Sequence, residues 1–205
     1  TSTPTCSRRR AATKARTPMT DQAAAPVTQP GWTVWLTGLP ASGKTTIALH
    51  LQQKLLHCGS SAILLDSDAV RAILTPTPRY RAAERDDFYA RLSLLAGLLT
   101  AQGFNAIVAA TANRRAHRDQ ARNRLPRFLE IWVRCSLAVC QARDPKGLYA
   151  QAAAGEIVDF PGLDAPYEPP LHPDLVVDSE AETPQAAVNR ILTSSPFLCG
   201  ASDEP

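Results

Sequence analysis

The chain has 205 residues, 44% of them hydrophobic and 20% charged, which is room for one α/β domain with a full core and an ordinary globular balance. No run of about 18 apolar residues occurs, so no segment reads as a membrane span. The net charge of +3 arises in the first 20 residues, which hold Arg8, Arg9, Arg10, Lys14 and Arg16 and no acid; residues 21–205 carry 17 basic and 19 acidic side chains, which excludes a broadly basic nucleic-acid-binding domain.

Residues 1–30 are rich in Thr, Ala, Pro and Arg and have no hydrophobic period. They read as a disordered extension, because they bury too little apolar surface to fold. Met19, the only methionine, is the expected translation start, with the first 18 residues a mis-called extension; the other reading of the acid-free, Arg-rich segment before it is a transit peptide, which its lack of an amphipathic helix disfavours. The folded domain is expected over residues 31–195, with 196–205 as a flexible tail.

Within that domain short apolar runs alternate with helical stretches. Thr33–Thr37 (TVWLT) reads as a buried strand. Thr45–His57 reads as a helix whose apolar side holds Ile47, Leu49, Leu51, Leu55 and Leu56. Ala62–Leu65 is a second strand, and a helix begins near Ala69. Glu84–Gln102 is a long helix carrying Leu92, Leu94, Leu95, Leu98 and Leu99. Ala106–Ala110 and Leu129–Val133 are strands, as is the run Leu175-Val176-Val177. Thr183-Pro184 opens the final helix, threonine as N-cap and proline in the first turn. Strands alternating with helices imply a parallel sheet covered on both faces, a three-layer α/β/α arrangement.

Five cysteines, an odd number at irregular spacing with no CxxC or Cys/His cluster, read as reduced thiols of a cytoplasmic protein, with no zinc site.

Gly38-Leu39-Pro40-Ala41-Ser42-Gly43-Lys44-Thr45 fits G-x-x-x-x-G-K-[ST] at every fixed position, after an apolar strand and before a helix. Glycines there let backbone N–H groups converge on phosphate oxygens, and the helix N-terminus adds positive potential. Lys44 is expected on the β- and γ-phosphates and the Thr45 hydroxyl on magnesium, so ATP and Mg²⁺ are the implied ligands. The loop does not specify an acceptor. At the carboxyl end of the second strand stand Asp66 and Asp68, on the edge where open α/β sheets bind ligands. Asp66 is expected to accept the acceptor proton or to order the metal with Thr45, with Asp68 as its helper. Either aspartate also suits the N-cap of the following helix.

From about Gly31 to Leu192 the sequence resembles the adenylylsulfate kinase family. Trp35-Leu36-Thr37-Gly38-Leu39-Pro40-Ala41-Ser42-Gly43-Lys44-Thr45-Thr46 is close to that family's phosphate loop, and Leu65-Asp66-Ser67-Asp68-Ala69-Val70-Arg71 to its L-D-G-D-N-[VI]-R. Arg143-Asp144-Pro145-Lys146-Gly147-Leu148-Tyr149, Ala154-Gly155-Glu156-Ile157 and Phe160-Pro161-Gly162-Leu163-Asp164-Ala165-Pro166-Tyr167-Glu168 match blocks that a generic P-loop kinase has no reason to carry. The resemblance implies transfer of the ATP γ-phosphate to the 3′-hydroxyl of adenosine 5′-phosphosulfate, with a lid over the Arg143–Tyr167 region. It places the adenine of the acceptor between Tyr80 and Phe160, its phosphosulfate at Arg71 and Arg85, and Lys146 in a mobile segment closing over both nucleotides. It assigns Thr46 and Arg143 to the ATP side, and Asp68, Phe88, Thr111, Ala112 and Asp159 to the acceptor side. It is compatible with a homodimer, and it implies no nucleic-acid partner. The chain departs from the family at Ser67 for Gly, Ala69 for Asn, Phe88 for Asn, and Ala112 for a serine that some members phosphorylate. Those departures leave open a kinase of the same fold with another small hydroxyl acceptor. A weakly active ATP-binding regulatory module is the remaining alternative.

Overall fold

A computed structural model describes residues 29–75 and 81–200. Tyr80, most of the N-terminal extension and the last five residues lie outside the described residues. In chain order the elements are β1 (Thr33–Thr37), α1 (Lys44–His57), β2 (Ala62–Asp66), α2 (Ser67–Leu74), α3 (Ala82–Ala101), β3 (Asn105–Ala109), α4 (Arg115–Arg124), β4 (Phe128–Arg134), α5 (Leu137–Arg143), α6 (Leu148–Ala153), β5 (Leu175–Asp178) and α7 (Pro184–Ser194), followed by a 3-10 turn at Pro196–Cys199. The strands pair in the order β2-β3-β1-β4-β5, all in parallel. This is the expected three-layer α/β/α fold.

The sheet is covered on both faces, which explains why β1 is buried at every position. Alternate side chains of a strand point to opposite faces. Val34 and Leu36 therefore meet Ile47, Leu51 and Leu55 of α1 and Val188 and Ile191 of α7. Trp35 faces the other way, into a core with Val108 of β3, Phe88, Leu92 and Ala96 of α3, and Ala121 of α4. Two leucines expected on the core side of α1 are exposed, Leu49 and Leu56, as are Leu94 and Leu98 of α3. Helix geometry gives the reason. Ile47, Leu51 and Leu55 recur every four residues on one stripe, whereas Leu49 lies about 200° around the axis from Ile47. Thr183 caps α7 through its hydroxyl, which accepts from the Ala186 amide at 3.2 Å, with Pro184 as the first helical residue. No helix among the described residues is long and apolar enough to cross a membrane.

Two expectations at the chain's end are corrected. The start of the presumed flexible tail is a 3-10 turn whose Leu198 is fully buried against α1 and α7. Cys199 beside it forms a disulfide with Cys58, so these two thiols are not reduced in this structure, and only Cys135 and Cys140 are free among the described cysteines. The link joins residues 141 positions apart, and a cross-link over so long a loop restricts the unfolded chain most. Reduction, or Cys58→Ser, is therefore expected to lower stability by about 2–4 kcal/mol and Tm by roughly 5–15 °C. Activity should stay within about twofold, because Cys58 caps the far end of the 14-residue α1, roughly 20 Å from its first turn. Melting curves with and without reductant check this, and coincident curves would contradict it.

Candidate active site

The phosphate loop takes its shape from two glycines. Gly38 leaves β1 at φ 155°, and a Cβ there would stand 2.4 Å from the Val133 carbonyl oxygen. Gly43, at φ 99°, turns the chain into α1, a conformation that side-chain-bearing residues adopt at a cost. Lys44 then begins the helix. It is buried, and its ammonium donates to the carbonyls of Gly38 at 3.0 Å and Leu39 at 2.7 Å. Burial pushes its pKa down to about 8. A charge held in so dry a loop is stabilised by any anion that enters.

Thr45 and Asp66 meet as the sequence predicts. The Thr45 hydroxyl donates to Asp66 Oδ2 at 2.7 Å. Asp66 Oδ1 accepts from the Asp68 and Ala69 amides at 3.0 and 3.4 Å and so caps α2. A hydroxyl and a carboxylate side by side, both hard oxygen donors, are the set that Mg²⁺ takes together with waters and phosphate oxygens. Asp68, in the first turn of α2, is exposed and pairs with the Lys146 ammonium at 2.5 Å.

These groups line one cavity of about 620 Å³. Pro40, Ala41, Gly43, Lys44, Thr45 and Thr46 form one wall, with Arg143, which donates to the Ser179 hydroxyl at 3.1 Å and the Ser179 carbonyl at 2.8 Å. Arg71, Arg85, Thr111 and Phe160 lie on the same cavity. Arg71 and Arg85 are both buried, and burial, reinforced by the Arg71 charge, lowers the Arg85 pKa. Two guanidinium groups on one cavity favour an anion between them. The lid is fastened over the loop by the Tyr149 hydroxyl, which donates to the Pro40 carbonyl at 3.0 Å. Phe160 packs edge-on against Tyr149 at 4.9 Å.

Several sequence-assigned residues do not line the cavity. Gly38, Leu39 and Ser42 shape the loop from behind it. Asp159 is exposed at φ 58°, its amide donating to Asp164 at 2.6 Å. Phe88 and Ala112 are fully buried behind the wall. Ala112 holds a positive φ of 41°, and its carbonyl accepts from Arg118 at 2.5 Å. Tyr80 lies outside the described residues.

Three residues were missed. Tyr89 lines the cavity one helical turn after Arg85, and that i, i+4 spacing on a register already assigned was a usable signal. Its ring lies 4.6 Å from that of His117. The His117 Nε2 is 2.8 Å from Asp86, and burial lowers the His117 pKa. Tyr149 stands in a matched block, which marks it as part of the lid and does not signal its tie to the phosphate loop. Arg118, 2% exposed, donates to Glu130 at 2.7 Å and to the carbonyls of Ala112, Arg114 and Glu168. It thereby sews the Thr111–Arg114 loop to the strap that follows the lid. Nothing in its nearly all-polar helix announces that role.

Comparison with known proteins places the chain in a family. The sequence model of the family Adenylylsulphate kinase matches residues 30–178. The chain is 43% identical over 163 residues to the adenylyl-sulfate kinase of Rippkaea orientalis, covering 80% of this chain and 90% of that one. It is 41% identical to that of Microcystis aeruginosa over the same shares. The solved structure of the Mycobacterium tuberculosis APS kinase CysC in complex with AMPPNP and APS superposes with a TM-score of 0.76 at 37% identity, covering 81% of this chain and 98% of that one.

Proposed function

Because the chain belongs to the adenylylsulphate kinase family, we propose that it transfers the γ-phosphate of ATP to the 3′-hydroxyl of adenosine 5′-phosphosulfate, giving 3′-phosphoadenosine 5′-phosphosulfate and ADP. The observation that carries this reading is the meeting of two kinds of group in one cavity. The phosphate loop with Asp66 and Asp68 lies on one side, and Arg71, Arg85 and Phe160 on the other. The first set handles a triphosphate. The second offers positive charge and an aromatic face, which suit an acceptor with an anionic tail and a base.

In this mechanism Lys44 holds the β- and γ-phosphates. Thr45 and Asp66 would hold Mg²⁺, which when bound neutralises phosphate charge. The 3′-oxygen attacks the γ-phosphorus in line, the bond to the β–γ bridging oxygen breaks, and ADP carries that electron pair away. The hydroxyl proton needs an acceptor. Both oxygens of Asp66 are engaged, by Thr45 and by the α2 amides, which favours the metal-ordering half of its expected role. Asp68, exposed on the cavity and held by Lys146, is the carboxylate we assign to the proton. The rest of the rate comes from positioning and charge stabilisation in a site closed by the lid. Of the departures that favour a different acceptor, Ala69, Phe88 and Ala112 do not line the cavity and Ser67 does, so most of them weigh less here.

The test is kcat/KM across adenosine 5′-phosphosulfate, adenosine monophosphate and other small hydroxyl acceptors, followed by ADP release. Adenosine 5′-phosphosulfate should be the best. Phe160→Ala should raise its KM about tenfold, with a smaller effect on ATP, since stacking contributes roughly 1–3 kcal/mol per base. Another acceptor winning by tenfold or more would sink the assignment.

A further inference from the structure

Phe88 stands where the family pattern has an asparagine, and it is 1% exposed and absent from the cavity wall. It lies directly against Arg71, whose guanidinium carbon sits 3.6 Å from the centre of the Phe88 ring. Arg71 itself lines the cavity. The Phe88 ring is in turn braced edge-on by Tyr89 at 5.4 Å, and Glu84 pairs with the Arg71 guanidinium at 3.8 Å. We infer that Phe88 is a positioning residue of this enzyme. It holds the Arg71 guanidinium by stacking, so that Arg71 meets the anionic tail of the acceptor in a fixed orientation. This rests on the reading of the cavity as an adenosine 5′-phosphosulfate site.

The physical case has three steps. A guanidinium is planar and weakly hydrated, so it stacks on an aromatic face at little desolvation cost, and the attraction grows where water is excluded. Stacking engages the face of the group, whereas hydrogen bonds to an anion engage its edge, so both contacts can be made together. The long arginine stem otherwise loses rotamer freedom when its head binds a ligand. A ring that already fixes the head lowers that loss, and the benefit appears in acceptor affinity alone. Phe88 acts through Arg71, from the second row of residues.

The experiment is a double-mutant cycle on the full chain with wild type, Phe88→Leu, Arg71→Ala and the double variant, in steady-state assays varying each substrate. Leucine keeps apolar bulk and removes the ring. Phe88→Leu should raise the KM for adenosine 5′-phosphosulfate about 5–20-fold, with kcat and the KM for ATP within about twofold. In the Arg71→Ala background the same change should have no further effect. Phe88→Tyr, which keeps the ring, should restore the wild-type KM to within about twofold. If Phe88→Leu gives no melting transition, Phe88→Met takes its place in the cycle. An unchanged acceptor KM overturns the inference. So does an equal rise in the KM for ATP, or a rise that persists without Arg71, each of which marks Phe88 as ordinary core. Should wild type prefer another acceptor, the functional reading fails first, and the same four proteins assayed with that acceptor judge the Phe88–Arg71 coupling separately.

Discussion

Lys44→Ala is expected to lower kcat/KM by at least about 10³-fold and to weaken ATP binding, because a preorganised positive charge on the transferring phosphate is lost from a site where water does not replace it. The fold should survive. Lys44 is buried and its pKa falls from 10.5 to about 8, so keeping it charged costs the native state on the order of 3 kcal/mol at neutral pH. A lysine whose folded pKa is depressed burdens the fold fully below about pH 8, and that burden fades as pH rises from about 8 to 10.5. Alanine removes it, so Tm at pH 7 should not fall, although two hydrogen bonds to Gly38 and Leu39 go with the side chain. A variant that melts like wild type yet fails to transfer phosphate is the expected result. Near-normal turnover would remove the phosphate loop from the mechanism.

What was legible in the sequence was what local chemistry dictates. The spacing Gly38–Thr45 fixes a loop conformation by itself, and the strand before it and the helix after it lie where expected. Asp66 and Asp68 could be assigned to the cavity because the carboxyl end of a parallel strand is where such sheets open. What was not legible depends on how elements pack. Arg115–Arg124 (RAHRDQARNR) has no apolar period and gave no sign of a helix. It is held by Ala121 in the core and by the buried Arg118–Glu130 pair, a tertiary contact. The family register puts Phe88 among the acceptor contacts, but its ring is buried against the Arg71 guanidinium and off the cavity wall, a packing detail that the register does not carry. The positive φ of Ala112 has no signature in a residue without a polar side chain. The Cys58–Cys199 link spans 141 residues, a separation from which no pairing can be read.

The lid joins these two kinds of information. Its sequence block was recognisable, but its anchoring is spatial. Tyr149 fixes it to the phosphate loop through Pro40, and Lys146 fixes it to the acidic pair through Asp68. The second tie is between two exposed groups, and exposed pairs are worth about 0–1 kcal/mol. Lys146 can therefore leave Asp68 for a phosphate oxygen at small cost, which is what a segment closing over a substrate requires.

Asp66→Asn and Asp68→Asn should both reduce turnover strongly and should differ in how. Asp66→Asn keeps the shape and, since asparagine caps helices about as well as aspartate, keeps α2 in place. It removes the charge beside Thr45. We expect kcat to fall about 10³-fold, and the magnesium concentration for half-maximal rate to rise at least about tenfold, because one of two hard oxygen ligands has lost its charge. Asp68→Asn leaves the Thr45–Asp66 pair intact and removes the carboxylate assigned to the proton. Its kcat should fall about 10²–10³-fold, the range of general-base loss, with the magnesium requirement unchanged. ATP affinity should be little altered in either, because Lys44 and the loop amides are untouched. Magnesium titrations of kcat for the three proteins decide between the roles. If Asp68→Asn raises the magnesium requirement and Asp66→Asn does not, the two assignments are exchanged. If neither variant loses more than about tenfold, the proton leaves by another path, and the chemistry proceeds by positioning and phosphate charge stabilisation alone.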